Sequence, residues 1–180
     1  MKIRFSFLLL LAFIVNVHSQ DATTSVSKNQ FKVNVLFPGF VYEHGFTEKN
    51  TLYSEVSLGF GYRKSSYYYE STWSFYPMIN EQFRHYYNLE KRADKGKRTA
   101  YNSGNFLALN ATYNFKPIST NNNFGEYAPS FTLAPVWGLQ RTYNGKLNLE
   151  LHLGAGINVD KYNTEFAPVA NFTLGWVIGK

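Results

Sequence analysis

The sequence predicts an all-β fold: a closed antiparallel transmembrane β-barrel of about eight strands, preceded by a signal peptide. Three observations carry that expectation. A period of two recurs after Phe31, the polar faces are built mostly of small uncharged residues, and an export signal is followed by no membrane helix. The clearest stretch is "KLNLELHLGAGINVD", residues 146–160. Leu147, Leu149, Leu151, Leu153, Ala155, Ile157 and Val159 alternate there with Asn148, Glu150, His152, Gly154, Gly156, Asn158 and Asp160. A period of two over this length means a strand with one apolar and one polar face.

The first element is the export signal. "MKIRFSFLLLLAFIVNVHSQ" sets Lys2 and Arg4 before an apolar run from Phe5 to Val15, with Val17 and Ser19 as small cleavage positions before Gln20. Residues 1–19 therefore read as a secretory signal peptide; the run is short for an anchor and a polar segment follows it. Residues 20–30, "QDATTSVSKNQ", read as a flexible leader. Residues 31–180 suit a single domain. With no cysteine, the chain has no disulfide, no thiolate metal site and no lipid anchor on Cys. No later run reaches the roughly 18 apolar residues of a membrane helix, so any return to a membrane requires a closed barrel. Without Lys2 and Arg4 the chain keeps 16 basic and 12 acidic residues. Five of those basic and two of the acidic residues fall in "EKRADKGKR", residues 90–98, so the basic balance is local. A nucleic-acid partner is not expected of such an exported protein.

The strands follow in order. "FKVNVLF" alternates Phe31, Val33, Val35 and Phe37 against Lys32 and Asn34, with Leu36 as an exception; it is a short first strand and completes the eight. Pro38-Gly39 signals a turn, "FVYEHGF" a second strand and "TEKN" a second turn. "LYSEVSLGFGY" sets Leu52, Val56, Leu58, Phe60 and Tyr62 against Tyr53, Glu55, Ser57, Gly59 and Gly61. "RKSSYYYESTWS" reads as a loop with flanking strand ends. In "FYPMINEQFRHYYNL" Glu81 and His85 share a face with Ile79 and Phe83, which predicts a bulge or a strand running past the membrane. "NFLALNATYNF" alternates again, and "KPISTNNNFGE" is a loop. "SFTLAPVWGLQRTY" leads through Asn144-Gly145, a tight-hairpin signal, into the stretch quoted first. After "KYNTE", Ala170, Phe172, Leu174, Trp176 and Ile178 oppose Asn171, Thr173, Gly175 and Gly179.

A soluble sheet would alternate in the same way, so the composition of the polar face decides. Solvent-facing strands usually carry many Lys, Glu and Arg. These carry Asn, Thr, Ser, Gln and Gly, which suit the crowded interior of a narrow barrel. The apolar face is then expected against lipid, with Leu58, Leu109, Leu133, Leu149, Leu151, Leu153 and Leu174 on it. Tyr62, Tyr113, Tyr143 and Trp176 near strand ends suit an interfacial girdle. Glu43, Glu55 and Glu150 are expected inside with Lys32, Arg84 and His152. Because an unpaired buried charge is expensive, they should pair into a plug that leaves no open pore.

With these features, "YEHGF" and "RHYYNLEKRADKGKRTAYNSGNFLAL" resemble small outer-membrane β-barrel families of Gram-negative bacteria. The resemblance covers the mature chain in architecture and is sharpest over residues 84–109. It implies an eight-stranded barrel of the OmpA or OmpX transmembrane type, assembled as a monomer by the barrel-assembly machinery, with outer-membrane lipid and lipopolysaccharide as partners. Such barrels commonly finish on an aromatic residue, whereas this chain ends "GWVIGK".

Catalytic and metal signals are thin. Glu150 and His152 could be half of a catalytic relay, but lumen polar groups normally pair among themselves. The His-x-Ser-Asn pattern of outer-membrane lipid deacylases is absent at His44 ("GFT" follows) and His152 ("LGA" follows). No cofactor or metal is expected: His44, His85 and His152 are isolated, and Gly154-Ala155-Gly156 precedes no helix. "NAT" and "NFT" at Asn110 and Asn171 lie within strands and read as chance sequons. The expected function is a non-enzymatic outer-membrane protein with a plugged lumen and a structural or surface-interaction role. A lipid-modifying outer-membrane enzyme and a soluble periplasmic carrier are the alternatives. Counting back from a periplasmic C-terminus puts "KYNTE", "ISTNNNFGE", "RKSSYYYEST" and Pro38-Gly39 outside. The same count puts Asn144-Gly145, residues 90–98 and "TEKN" on the periplasmic side.

Overall fold

The computed structural model describes residues 23–65, 70–119 and 128–180. Residues 1–19, read as the signal peptide, lie outside the described residues. The strands are β1 (Asn29–Asn34), β2 (Gly39–Gly45), β3 (Asn50–Ser65), β4 (Glu70–Tyr86), β5 (Asn105–Asn114), β6 (Ile118–Ser119), β7 (Ser130–Thr142), β8 (Leu147–Asp160) and β9 (Thr164–Gly179). One short helix, α1 (Leu89–Ala93), lies between β4 and β5.

The strands pair in the order β3-β2-β1-β9-β8-β7-β5-β4, and β4 pairs back onto β3. Eight antiparallel strands thus form a ring, with β6 prolonging the line of β5 along β4. The short β1 is what closes it: it pairs with β2 from Asn29 and with β9 over Gly175 to Gly179. It begins two residues before Phe31. The preceding segment is also held, through Val26 N–H to Glu48 O and Ser27 N–H to Asn102 Oδ1.

Three local expectations are corrected. β4 carries no bulge: its register with β3 is unbroken from Asn50↔His85 to Ser65↔Glu70. Glu81 and His85 stay in the alternation and find polar partners across the strand pair, Ser54 Oγ at 2.7 Å and Asn50 Oδ1 at 2.8 Å. The Asn144-Gly145 hairpin has three loop residues rather than two. Tyr143 N–H meets Leu147 O, and the positive φ of 64° falls on Lys146, as in a type I turn followed by a left-handed residue. The loop expected over "KPISTNNNFGE" includes the paired residues of β6; residues 120–127 lie outside the described residues.

The burial pattern is inverted relative to a water-soluble sheet. Among the described residues, 21 polar or charged residues are buried against 10 hydrophobic ones, so the ring interior is not an oily core. The largest fully buried side chains include Arg84, Lys32, Gln82, Gln140, Glu43 and Glu150. Phe40, Val56, Phe60, Phe83, Leu107, Leu109, Ile157, Phe166 and Ile178 are exposed on the outside.

Glycine makes room inside. A Cβ on Gly138 would lie 2.3 Å from the Phe106 ring, which is itself fully buried. Gly138→Leu is therefore expected to abolish assembly of the ring, read as loss of folded protein after refolding. Gly138→Leu combined with Phe106→Ala should recover part of it; equal yields for the single variant and the parent would contradict this packing.

The two ends of the ring differ. One end gathers the N-terminal segment, the β2–β3 and β7–β8 turns and the connector of residues 87–104. The connector is folded inward, with Leu89, Thr99, Ala100, Asn102 and Ser103 buried. Ser103 Oγ accepts from Thr142 N–H, Tyr101 O accepts from Gln140 Nε2, and Arg98 donates to Asn144 Oδ1. A small apolar cluster of Tyr86, Leu89, Phe106, Ala108, Ala134 and Val136 lies in the interior. The other end carries the β1–β2 and β8–β9 turns.

Candidate functional site

The interior charges come from strands spread around the ring. Alternation turns Lys32 of β1, Glu43 of β2, Glu55 of β3, Arg84 of β4, and Glu150 and His152 of β8 inward, each 4% exposed or less. Arg84 is the hub. Its Nη2 and Nη1 meet the two Glu150 oxygens at 2.5 and 3.1 Å, a bidentate pair, and its Nε donates to Gln82 Oε1 at 2.8 Å. Its guanidinium lies 3.6 Å from the Tyr53 ring centroid and 4.3 Å from that of Phe106.

Lys32 and Glu43 form the second half. Lys32 Nζ is 3.2 Å from Glu43 Oε2 and 3.7 Å from Glu150 Oε2, and donates to Gln140 Oε1 at 2.8 Å. Glu43 Oε1 also accepts from Thr51 Oγ1 and Tyr86 Oη, each at 2.8 Å. Desolvating four charges is costly, and mutual attraction offsets that only when the remaining lone pairs are also satisfied. These hydrogen bonds meet that condition. Polar groups continue the network from Gln82 to Asn80 Oδ1 at 2.8 Å, then from Asn80 to Asn110 Oδ1 at 2.7 Å. The network thus links side chains of β1, β2, β4, β5, β7 and β8 across the ring.

Glu55 sits apart from this pairing. It accepts from Asn34 Nδ2 at 2.8 Å and Tyr53 Oη at 2.9 Å, and has no ion pair among the described residues. His152 Nδ1 lies 3.6 Å from Glu150 Oε1 and makes no hydrogen bond. Glu55 and His152 line a cavity of about 460 Å³, together with Ser57, Asn80, Thr112, Thr132 and Asn158.

No family model, curated protein or solved structure matches the chain. Of the expected architecture, the structure shows the ring of eight antiparallel strands.

The structure therefore brings Lys32, Glu43, Arg84, Glu150 and His152 into one interior cluster and sets Glu55 beside it. The seven leucines assigned to the apolar face point outward. Leu58, Leu109 and Leu153 are exposed, and Leu133, Leu149, Leu151 and Leu174 are half-buried among their neighbours. Sequence reasoning missed Gln82, Tyr86, Gln140 and Thr51 as partners in the cluster. The available signal was strand parity: each lies an even number of residues from a charge already assigned inward on the same strand, or pairs with one. No group of three or more His, Asp or Glu residues among the described residues could hold a metal ion.

Proposed function

We propose that this protein is a non-enzymatic outer-membrane β-barrel of a Gram-negative cell, monomeric, with a plugged lumen and a structural or surface-interaction role. One observation carries the reading: charged and amide side chains fill the ring while large apolar side chains cover its outside. Water-soluble proteins rarely expose apolar patches beyond a few hundred Å², whereas a membrane barrel turns an apolar band to lipid and its polar residues inward. A soluble carrier would bury these leucines and phenylalanines. The ring gives each of its eight strands a hydrogen-bonded neighbour on both sides over at least part of its length, which limits the unpaired backbone that passage through hydrocarbon would penalise.

Residues 1–19 supply export, and barrel-assembly machinery supplies insertion. The connector end faces the periplasm in this reading. The opposite end faces outward, where its connections meet lipopolysaccharide or an external partner. Tyr42, Tyr87, Trp137, Tyr143 and Trp176 are exposed on the strand halves nearer the connector end or just beyond them, as an interfacial belt would place them. Trp137 Nε1 donates to Tyr87 Oη at 2.8 Å there.

In fractionated cells the protein is expected in the outer membrane, and unheated and boiled samples should migrate differently on a detergent gel. Recovery in the soluble periplasm with a single mobility would contradict the proposal.

A further inference from the structure

The wall of the ring is uneven. β1 and β2 have 6 and 7 residues, while their outer neighbours β9 and β3 have 16 each. β9 pairs with β1 only over 175–179, with Val35 N–H to Leu174 O as a last rung. β3 pairs with β2 over 51–57, ending with Leu58 N–H to Pro38 O. Among the described residues, 164–173 of β9 and 59–65 of β3 are therefore paired on one side only. Between them, above the β1–β2 turn, no described strand completes the wall, which leaves a slot.

The turn at the foot of this slot is apolar. Val35, Leu36 and Phe40 are exposed, and Phe37 stacks on Phe60 with centroids 5.5 Å apart. The turns at 144–146 and 161–163 read Asn-Gly-Lys and Lys-Tyr-Asn instead. Above the turn's level the outward residues of β9 are still apolar: Phe172, Ala170, Pro168 and Phe166. Composition thus sets the β1–β2 turn at lipid depth, although its position in the chain suggested an external turn. The cavity beside Glu55 lies directly behind the slot, lined by Phe37 and by residues 165–171 of β9. Among the described residues, Glu55 and Glu165 are its only Asp, Glu, Lys or Arg side chains. Glu55 is 4% exposed; among the described residues it has two neutral hydrogen-bond donors and no ion-pair partner, and the neighbouring His152 Nδ1 has no hydrogen bond.

We propose that the slot admits an amphiphile from the lipid, with its alkyl chain against the apolar turn and its ammonium head group in the cavity on Glu55. The inference rests on the membrane reading above. An ammonium supplies what the cavity lacks, a positive charge and donors beside a buried carboxylate, and the slot spares the alkyl chain passage through a polar interior.

The test uses the full mature protein in neutral detergent micelles, with native mass spectrometry of added dodecylamine, butylamine or sodium dodecyl sulfate at matched concentration. Dodecylamine adducts are expected on the parent and should fall at least ten-fold for Glu55→Gln. Butylamine and dodecyl sulfate should bind at least ten-fold more weakly than dodecylamine. Phe37→Gln, which places a neutral polar group on the slot's rim and leaves Glu55 in place, should also weaken dodecylamine binding. Equal dodecylamine binding by the parent and Glu55→Gln overturns the head-group assignment. Binding of butylamine as tight as dodecylamine overturns the lipid-side entry. The heat-dependent gel shift is read on every sample. A shift without dodecylamine binding overturns this inference alone, whereas loss of the shift in the parent counts against the membrane reading itself.

Discussion

Arg84→Met is expected to lower the unfolding free energy by about 3–5 kcal/mol, the usual cost of removing one partner from a buried ion pair. Arg84 is fully buried and faces both Glu150 oxygens, with Glu43 at 4.0 Å. Without it, Lys32 alone faces two interior carboxylates. Met keeps much of the side-chain volume between the Tyr53 and Phe106 rings, so the loss reports charge rather than a cavity. The double variant Arg84→Met with Glu150→Leu should be more stable than Arg84→Met alone, because the uncompensated carboxylate goes with it. Urea titrations in detergent micelles, followed by tryptophan emission, measure both. A single variant within about 1 kcal/mol of the parent would contradict a tightly paired interior.

On the outer face, Leu109→Arg should destabilise the protein in lipid by about 2–4 kcal/mol, the cost of a basic residue near the bilayer midplane. Leu109 is 53% exposed at the middle of β5, between Phe83 on β4 and Pro135 on β7. In water the same change would be nearly neutral, since exposed surface substitutions rarely shift stability by more than about 0.5 kcal/mol. Folding titrations of Leu109→Arg and Leu109→Phe in phosphatidylcholine vesicles separate the two settings. Equal stabilities for the two variants would count against lipid on this face.

Much of the ring was legible because strand parity is a local property. On β8 the alternation of Leu149, Leu151 and Leu153 with Glu150 and His152 needs no knowledge of the partner strands, and the structure buries the second set. The same parity runs through Lys32, Glu43, Glu55 and Arg84. Where parity looked broken, at Glu81 and His85, the reason was non-local: Ser54 and Asn50 on β3 supply the polar partners. The inward fold of residues 87–104 was illegible for a related reason. Its basic residues read only as a local charge on the periplasmic side, whereas its anchors are single side chains: Leu89 against Gly104, Ser103 under Thr142, and Asn102 bonded to Ser27. Tyr101 and Asn102 both take positive φ there, at 57° and 56°, which no propensity would suggest for consecutive non-glycine residues. The slot was hidden too, because strand length depends on where pairing stops, and the alternation of "FKVNVLF", broken only at Leu36, runs past the last residue of β1.

The three tryptophans test the central claim most directly. Trp73, Trp137 and Trp176 are the whole set in the chain, and all are exposed on the outside of the ring, at 48%, 37% and 44%. The measurement is tryptophan fluorescence of the protein folded into vesicles with and without phosphatidylcholine brominated on its acyl chains. If the apolar face lies against lipid, bromine should quench most of the emission, and the unquenched spectrum should be blue-shifted relative to the urea-unfolded chain. Emission unchanged by bromine, from a protein shown to be folded in the same sample, would contradict it.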